Sequence, residues 1–123
     1  MSTTTAPYNR ILGIRGEAIA AAYLEERGYR ILARNWRCRY GELDLVARDG
    51  GSVVAVEVKT RGGTGYGSPL EAITARKSAR LRRLLLEWAR ESAERHAPLR
   101  VDAIGITLLP GALPRIEHLK GIS

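Results

Sequence analysis

Two strand-like segments on either side of a glycine turn limit most strongly how this chain can fold. Residues 42–48 (ELDLVAR) and 52–60 (SVVAVEVKT) are rich in β-branched and aliphatic side chains, and Asp49-Gly50-Gly51 separates them. Such a turn between two strand patterns is typical of an antiparallel β-hairpin. A hairpin that is symmetrical about the two glycines has the same register whether its loop contains two residues or four.

This register brings charged side chains together. It places Asp44 opposite Glu57 and Glu42 opposite Lys59, and all four side chains should share one face of the hairpin. Directly opposed residues have Cβ atoms about 4.5–5.5 Å apart, and like charges at that spacing are destabilising. Two facing carboxylates therefore predict a divalent cation, and hard oxygen ligands suit Mg²⁺ or Mn²⁺. Lys59 should then lie beside the metal, where its ammonium group can meet a phosphate oxygen.

Glu17 is a third carboxylate that we expect near this site. It lies in the first turn of a helix predicted over residues 16–27, on the same stripe as Ala21 and Leu24, and Gly28 follows as a capping residue. Its side chain should therefore point partly toward the core. The alternative is that Glu17 serves only the helix dipole, which favours acidic residues in the first turn.

The rest of the chain predicts one α/β domain. Three further segments have strand composition: residues 29–35, 99–108 and 115–119. A long helix should follow Thr74, bury a face rich in leucine, and end near Arg95. The order α-β-β-β-α-β-β predicts a mixed β-sheet flanked by helices over residues 13–123. Residues 1–12 are polar and without periodicity, so we expect a disordered tail there.

A glycine-dense stretch, residues 61–67, connects the hairpin to the long helix. It is either a flexible linker or a mobile loop beside a site. Ser68-Pro69-Leu70-Glu71 follows it and has the sequence of a helix capping box with proline at the first helical position.

Composition excludes several classes of function. One cysteine, Cys38, permits neither an intrachain disulfide nor a zinc site with several thiolates. The two histidines, His96 and His118, leave little for a histidine-rich metal centre or a Ser-His-Asp triad, and we expect both at the surface. No apolar run approaches the roughly 20 residues of a membrane span, and the N-terminus lacks the features of a signal peptide. We therefore expect a cytoplasmic protein with no membrane partner.

The charge balance points to an anionic partner. Lys and Arg number 20 against 13 Asp and Glu, and this excess of +7 favours nucleic acid first. Arginine can bind phosphate oxygens with both arms of its guanidinium group. The long helix carries four arginines near one stripe: Arg76, Arg80, Arg83 and Arg90. The N-terminal half of this stripe, with Lys77 added, can follow a phosphate backbone. Three arginines nearer the carboxylates should contact substrate: Arg37, Arg39 and Arg61.

Other interpretations of these residues remain open. The basic stripe can equally be a solvated helix face that serves only solubility. Trp36 and Tyr40 can stack on bases of an unpaired strand, although aromatic residues beside a strand more often belong to the core.

Five groups of residues together resemble a known family. Over about residues 11–107, the order of these motifs is similar to that of the YraN-type family of bacterial proteins, which belongs to the restriction-endonuclease-like superfamily with the PD-(D/E)XK signature. The motifs are Gly13-x-x-Gly16-Glu17-x-x-Ala20, Asn35-Trp36-Arg37, Gly41-Glu42-Leu43-Asp44-Leu45, Val56-Glu57-Val58-Lys59-Thr60-Arg61 and Gly67-Ser68-Pro69.

The resemblance implies a fold, an activity and a role for particular residues. Asp44, Glu57 and Lys59 fall on the D…(D/E)XK positions, and Glu17 falls on the helical glutamate that often assists the metal. Leu43 stands where the superfamily signature has proline. The implied fold is restriction-endonuclease-like, and the implied activity is hydrolysis of phosphodiester bonds with Mg²⁺ or Mn²⁺.

The same resemblance suggests a substrate and an assembly. The family is similar to archaeal Holliday junction resolvases, so DNA is the expected substrate, with branched and single-stranded forms as candidates. Because the resolvases act as dimers, a homodimer is one expected assembly. Asp102 fits the family pattern, and we expect it to make a structural hydrogen bond and not to ligate a metal.

Two alternatives belong to other classes of function. The first is a nucleic-acid-binding module of the same fold without catalytic activity, which would bind DNA in a salt-sensitive manner and gain no stability from Mg²⁺ or Mn²⁺. The second is a protein-interaction domain whose charges only keep it soluble.

Overall fold

The computed structural model describes residues 5–63 and 67–123, in which two α-helices, one 3₁₀ helix and five strands follow the predicted order α-β-β-β-α-β-β. Residues 1–4 of the expected tail and residues 64–66 of the glycine-dense stretch lie outside the described residues. The elements are α1 (Thr5–Glu26), β1 (Arg30–Cys38), β2 (Gly41–Asp49), β3 (Ser52–Arg61), the 3₁₀ helix (Pro69–Ala72), α2 (Ala75–Arg90), β4 (Leu99–Thr107) and β5 (Arg115–Leu119).

The five strands form one mixed sheet in chain order. Strands β1, β2 and β3 are successively antiparallel, β3 and β4 are parallel, and β4 and β5 are antiparallel. Parallel neighbours need a crossover connection, which the 3₁₀ helix and α2 provide between β3 and β4. The predicted single α/β domain with a mixed sheet is therefore confirmed.

The helices bury two separate apolar layers against the sheet. Ala21 and Leu24 of α1 pack against one layer of strand residues, here called the α1 layer. Leu81, Leu84 and Leu85 of α2 pack against the other, the α2 layer. The leucine face predicted for α2 is confirmed. Among the described residues, no helix is both long enough and apolar enough to cross a membrane.

Helix α1 ends where the sequence predicts but begins earlier. At its end, Gly28 has a φ of 87°, and the N–H of Tyr29 donates to the carbonyl of Leu24 at 3.0 Å in a Schellman motif. At its start, the helix extends back to Thr5 and not to residue 16. Residues 5–12, expected as part of a disordered tail, are helical, and Leu12 at the end of this segment packs against the same apolar layer as Ala21 and Leu24. That contact is tertiary and leaves no trace in local periodicity.

Helix α2 ends at Arg90, five residues before the predicted end. Ser92 Oγ donates to the carbonyl of Ala89 at 2.9 Å and accepts from the N–H of Glu94 at 3.0 Å. Such local side-chain bonds compete with helical hydrogen bonds and stop the helix. The predicted capping box at residue 68 is present, but it caps the 3₁₀ helix, and Thr74 caps α2.

A buried polar network connects β4 to β5 and the C-terminal residues. Asp102 is fully buried, and its carboxylate accepts from Arg100 Nε at 2.8 Å, Gly121 N at 3.0 Å and Tyr29 Oη at 3.0 Å. Burial alone would raise the pKa of Asp102, but the hydrogen bonds from Arg100, Gly121 and His118 lower it below the ordinary value. Asp102 therefore has the structural role that we expected.

His118 is a correction to the sequence analysis, which placed it at the surface. Its side chain is only 6% exposed, with Nε2 at 2.9 Å from Asp102 Oδ2 and Nδ1 at 3.2 Å from Tyr23 Oη. Strand β5 is short and otherwise exposed, so its sequence gives no alternating pattern that would mark His118 as buried.

Helix α1 passes close to β3 at Gly16. A Cβ atom built on Gly16 would overlap the side chain of Thr60, whereas one built on Gly13, one turn earlier, would meet nothing within 4 Å. The absence of a side chain at Gly16 thus sets the distance between α1 and β3.

We expect Gly16→Ala to lower the free energy of unfolding by about 1–3 kcal/mol, because α1 must shift away from β3. Gly13→Ala is the matched control and should raise stability by up to about 1 kcal/mol, since alanine has the higher helix propensity. Urea denaturation followed by circular dichroism measures both. Equal effects of the two substitutions would contradict a special contact at Gly16.

Candidate active site

The β2–β3 hairpin has the predicted register but separates partway along its length. Paired residues run from the turn up to Leu45 and Val56, which confirms the register predicted from the glycine turn. Beyond that pair, β2 remains paired with β1, and β3 remains paired with β4. The two central strands therefore separate and leave a gap inside the sheet.

Asp44 is the first residue of β2 beyond the paired segment, and its side chain replaces the backbone ladder. Asp44 Oδ2 accepts a hydrogen bond from the backbone N–H of Val58 at 2.9 Å. Residues two apart on a regular strand face the same way, yet Leu43 and Leu45 pack in different apolar layers. The strand thus loses its regular alternation at Asp44.

Asp44 and Glu57 form a pair of adjacent carboxyl groups in the gap. Glu57 lies close enough to contribute to the raised pKa of Asp44, and its own side chain is only 12% exposed. Burial, and then the charge of Glu57, raise the pKa of Asp44 to about 7. At neutral pH the pair therefore favours either a retained proton or a bound cation.

Glu17 approaches the same gap from α1. Burial raises the pKa of Glu17, as do the charges of Asp44 and Glu42, while a hydrogen bond with the Asn35 side chain lowers it. The register of β1 and β2 places Asn35 across from Asp44. Asn35 has a φ of 50°, a left-handed conformation that asparagine tolerates better than most residues. In the sequence Asn35 stands out only as part of a motif, and no local pattern indicates its contact with Glu17.

Two lysines lie beside the carboxylates. Lys59 Nζ lies 3.6 Å from Glu57 Oε2. Lys77 of α2 comes close to Lys59, whose hydrogen bonding and charge lower the pKa of Lys77, with burial adding to the effect. The sequence placed Lys77 on a phosphate-binding stripe, and the structure places it next to the carboxylate pair.

Glu42 is paired on the β1 side of β2. It lies across from Arg37, whose Nε donates to Glu42 Oε2 at 3.3 Å. Its charge also contributes to the raised pKa of Asp44 and of Glu17. The backbone ladder between β2 and β3 stops at Leu45 and Val56, so the opposition of Glu42 and Lys59 stays a prediction.

The carboxylates suit a cation that keeps most of its water. Within residues 5–63 and 67–123, no three Asp, Glu, His or Cys side chains are grouped so that they alone could hold a metal. Mg²⁺ in proteins is commonly bound through one or two carboxylates, several waters and the substrate phosphate. Asp44 and Glu57 fit that pattern, because a cation would relieve their mutual repulsion.

The predicted basic residues of α2 border a groove of about 800 Å³. Arg76, Arg80 and Arg83 line it from α2, and Tyr40 lines it from the turn between β1 and β2. Arg80 Nη2 also donates to the backbone carbonyl of Tyr40 at 2.9 Å, which holds this turn against α2.

The other predicted basic and aromatic residues occupy different environments. Arg39 lies next to Tyr40, with its guanidinium carbon 5.2 Å from the centre of the Tyr40 ring. Arg61 ends β3, two residues beyond Lys59, and its carbonyl accepts from the N–H of Leu108 at 2.8 Å. Trp36 packs against the α2 layer, so one of the two aromatic candidates belongs to the core, as the alternative interpretation held.

Residues 16–106, which include all the carboxylates and lysines of the site, match the model of the uncharacterised protein family UPF0102. The chain belongs to the UPF0102 family. A UPF0102 protein of Leifsonia xyli subsp. xyli is 56% identical over 111 residues, which cover 90% of this chain and 94% of the relative. One from Nocardia farcinica is 50% identical over 111 residues, covering 90% and 87%, and one from Mycobacterium tuberculosis is 51% identical over 126 residues, covering 98% of each. The resemblance to the YraN-type family is thus confirmed at the level of the family.

The raised pKa of Asp44 gives this UPF0102 protein a specific pH dependence. Asp44 titrates at about 7 in the folded chain against an ordinary value of 3.8, so folding binds a proton, and this group's contribution to stability falls as pH rises between these values. Asp44→Asn keeps an oxygen for the Val58 N–H and removes the charge. It should raise the melting temperature at pH 8 by several degrees, about 3–8 °C, and by less at pH 5.

Asp49→Asn is the control for this prediction. Asp49 lies on the same strand, but its carboxylate accepts from Arg100 Nη2 at 2.8 Å, so its charge is stabilising. This substitution should lower the melting temperature or leave it unchanged. A fall in melting temperature for Asp44→Asn at pH 8 would contradict the repulsion between Asp44 and Glu57.

Proposed function

We propose that this protein is a nuclease that hydrolyses phosphodiester bonds of DNA with Mg²⁺ or Mn²⁺, on a restriction-endonuclease-like fold. The observation that carries the proposal is the convergence of Asp44, Glu57 and Lys59 in the gap between β2 and β3. A mixed five-stranded sheet between two helices supports the fold that the resemblance implies. The residues of this site belong to one chain, and the homodimer stays a prediction from the resemblance.

The carboxylate side of the site is suited to a divalent cation. Asp44 and Glu57 would hold the cation, and Glu17 would assist through water. When bound, such a cation lowers the pKa of a coordinated water and neutralises charge that develops on the phosphate. The bond from Val58 N–H fixes Asp44 in place before any ligand arrives.

The lysine side of the site is suited to the phosphate. Lys59 and Lys77 are close enough to lower the pKa of Lys77, so an anion bound between them would relieve their repulsion. Lys59 would donate to a phosphate oxygen or orient the attacking water, and its charge would stabilise the pentacovalent phosphorus. The water is the nucleophile, so no side chain forms a covalent bond with the substrate.

Single-residue variants test the catalytic assignment. Glu57→Gln and Lys59→Ala should each reduce Mn²⁺-dependent cleavage of branched, flapped or single-stranded DNA by at least about 100-fold. Glu91→Gln and Lys120→Ala are matched controls, since both residues are exposed and lie on other parts of the fold, and they should retain activity. Chelation with EDTA should abolish cleavage by every active variant.

Equal cleavage by all five proteins, prepared in parallel, would show a contaminating nuclease and overturn the assignment. A thermal melt adds a readout that does not depend on activity. Mn²⁺ should stabilise the wild-type protein and leave Asp44→Asn unchanged, because only a ligand bound to the folded chain raises its melting temperature. Salt-sensitive DNA binding without cleavage and without stabilisation by Mn²⁺ would instead favour a non-catalytic binding module.

A further inference from the structure

Tyr40 is an aromatic residue to which the proposed chemistry gives no role. It lies in the turn between β1 and β2 and is 60% exposed, whereas Trp36, on the same segment, is packed against α2. A large aromatic side chain left in water beside a basic groove is typical of a surface that stacks on nucleic-acid bases.

The turn that carries Tyr40 is held firmly against α2. Arg80 Nη2 donates to the Tyr40 carbonyl, and Gly41 has a φ of 151°. A Cβ atom on Gly41 would lie 3.1 Å from both Arg80 Nη2 and Leu84 Cδ1, so a side chain there would push these neighbours back by a few tenths of an ångström. The contacts that hold this turn involve the backbone of Tyr40 and Gly41, so the turn should keep its place when the Tyr40 ring is removed.

The lining of the groove combines basic and apolar surface with one acidic residue. Arg76 and Arg83 provide guanidinium groups, and Ala79 and Leu86, the latter 41% exposed, provide apolar surface. At the far end Arg90 is paired with Glu87, Nη1 to Oε1 at 3.3 Å, so Arg76 and Arg83 are the arginines placed to bind phosphates. Phosphates bind guanidinium groups, and the faces of unpaired bases stack on aromatic and apolar surface. A duplex keeps its bases stacked inside and presents phosphates outward, so it would leave the ring and the apolar surface without contacts.

The groove leads away from the carboxylate pair. Arg76 directly precedes Lys77, which lies beside the site, and the 14 residue steps from Arg76 to Arg90 advance α2 by about 21 Å. This length corresponds to about six nucleotides at the rise of a duplex strand and to fewer in an extended strand.

We propose that the groove binds an unpaired strand of the substrate, with Tyr40 stacked on a base and the arginines on phosphates. This inference rests on the proposed function and makes it more specific, because it assigns a substrate with a single-stranded segment next to the cleaved bond. Arg39, near the Tyr40 ring, is placed to contact the phosphate of the stacked nucleotide.

The test measures binding without hydrolysis. Fluorescence anisotropy in EDTA compares a labelled 12-nucleotide oligo-dT strand with a 12-base-pair duplex. Tyr40→Ala should weaken binding of the single strand by at least about fivefold, since one base–aromatic stack is lost. It should change duplex binding by less than about twofold, and Tyr40→Phe should restore single-strand binding, because phenylalanine keeps the stacking face.

Two further variants serve as controls. Tyr8→Ala removes another exposed tyrosine, 56% exposed and outside this groove, and should leave both affinities unchanged. Arg83→Gln removes a phosphate contact, so it should weaken single-strand and duplex binding alike and reduce the salt dependence of each.

An unchanged single-strand affinity in Tyr40→Ala, equal losses for single strand and duplex, or no binding of the single strand by the wild-type protein would each overturn this inference. Binding that depends on Tyr40 in a protein that never cleaves would overturn the nuclease and leave the binding groove. Cleavage by a protein whose binding does not depend on Tyr40 would overturn the binding groove and leave the nuclease.

Discussion

The hydrogen bond from the backbone N–H of Val58 to the carboxylate of Asp44 determines where the central hairpin opens. In an unbroken ladder this N–H would go to the backbone of β2, and the strands would remain together up to their ends. Because the Asp44 side chain accepts this bond instead, β2 and β3 stop pairing with each other here, while β2 remains paired with β1 and β3 with β4. Asp44 therefore both interrupts the ladder and places a carboxylate in the gap.

The charges around this gap are arranged as two like pairs. Asp44 and Glu57 repel each other, as do Lys59 and Lys77, while the Lys59–Glu57 ion pair joins the two sets. Like charges held this close lower stability, and functional sites commonly carry such unfavourable arrangements. A cation at the carboxylates and a phosphate at the lysines would relieve both repulsions at once. The charges that would balance this site are therefore those of its proposed ligands.

The sequence predicted what depends on local pattern, and the remainder depends on tertiary contacts. The order of elements and the hairpin register follow from strand composition and a glycine turn, and the family follows from its motifs. The position of Lys77 could not be predicted, because it depends on how α2 packs on the sheet. The same holds for His118, which an otherwise exposed strand carries into a buried network. The restriction-endonuclease-like fold and the metal stay predictions from the resemblance.

The double role of Asp44 affects how substitutions at this position are interpreted. Alanine would remove the acceptor of the Val58 N–H along with the charge, and a buried donor without a partner tends to find another acceptor. The nearest remedy is for the two strands to extend their backbone pairing past Leu45 and close the space between them. Loss of activity in Asp44→Ala would then result from closure of the gap and not from the loss of a metal-binding carboxylate. Asparagine, which removes the charge and keeps the acceptor, separates the two contributions.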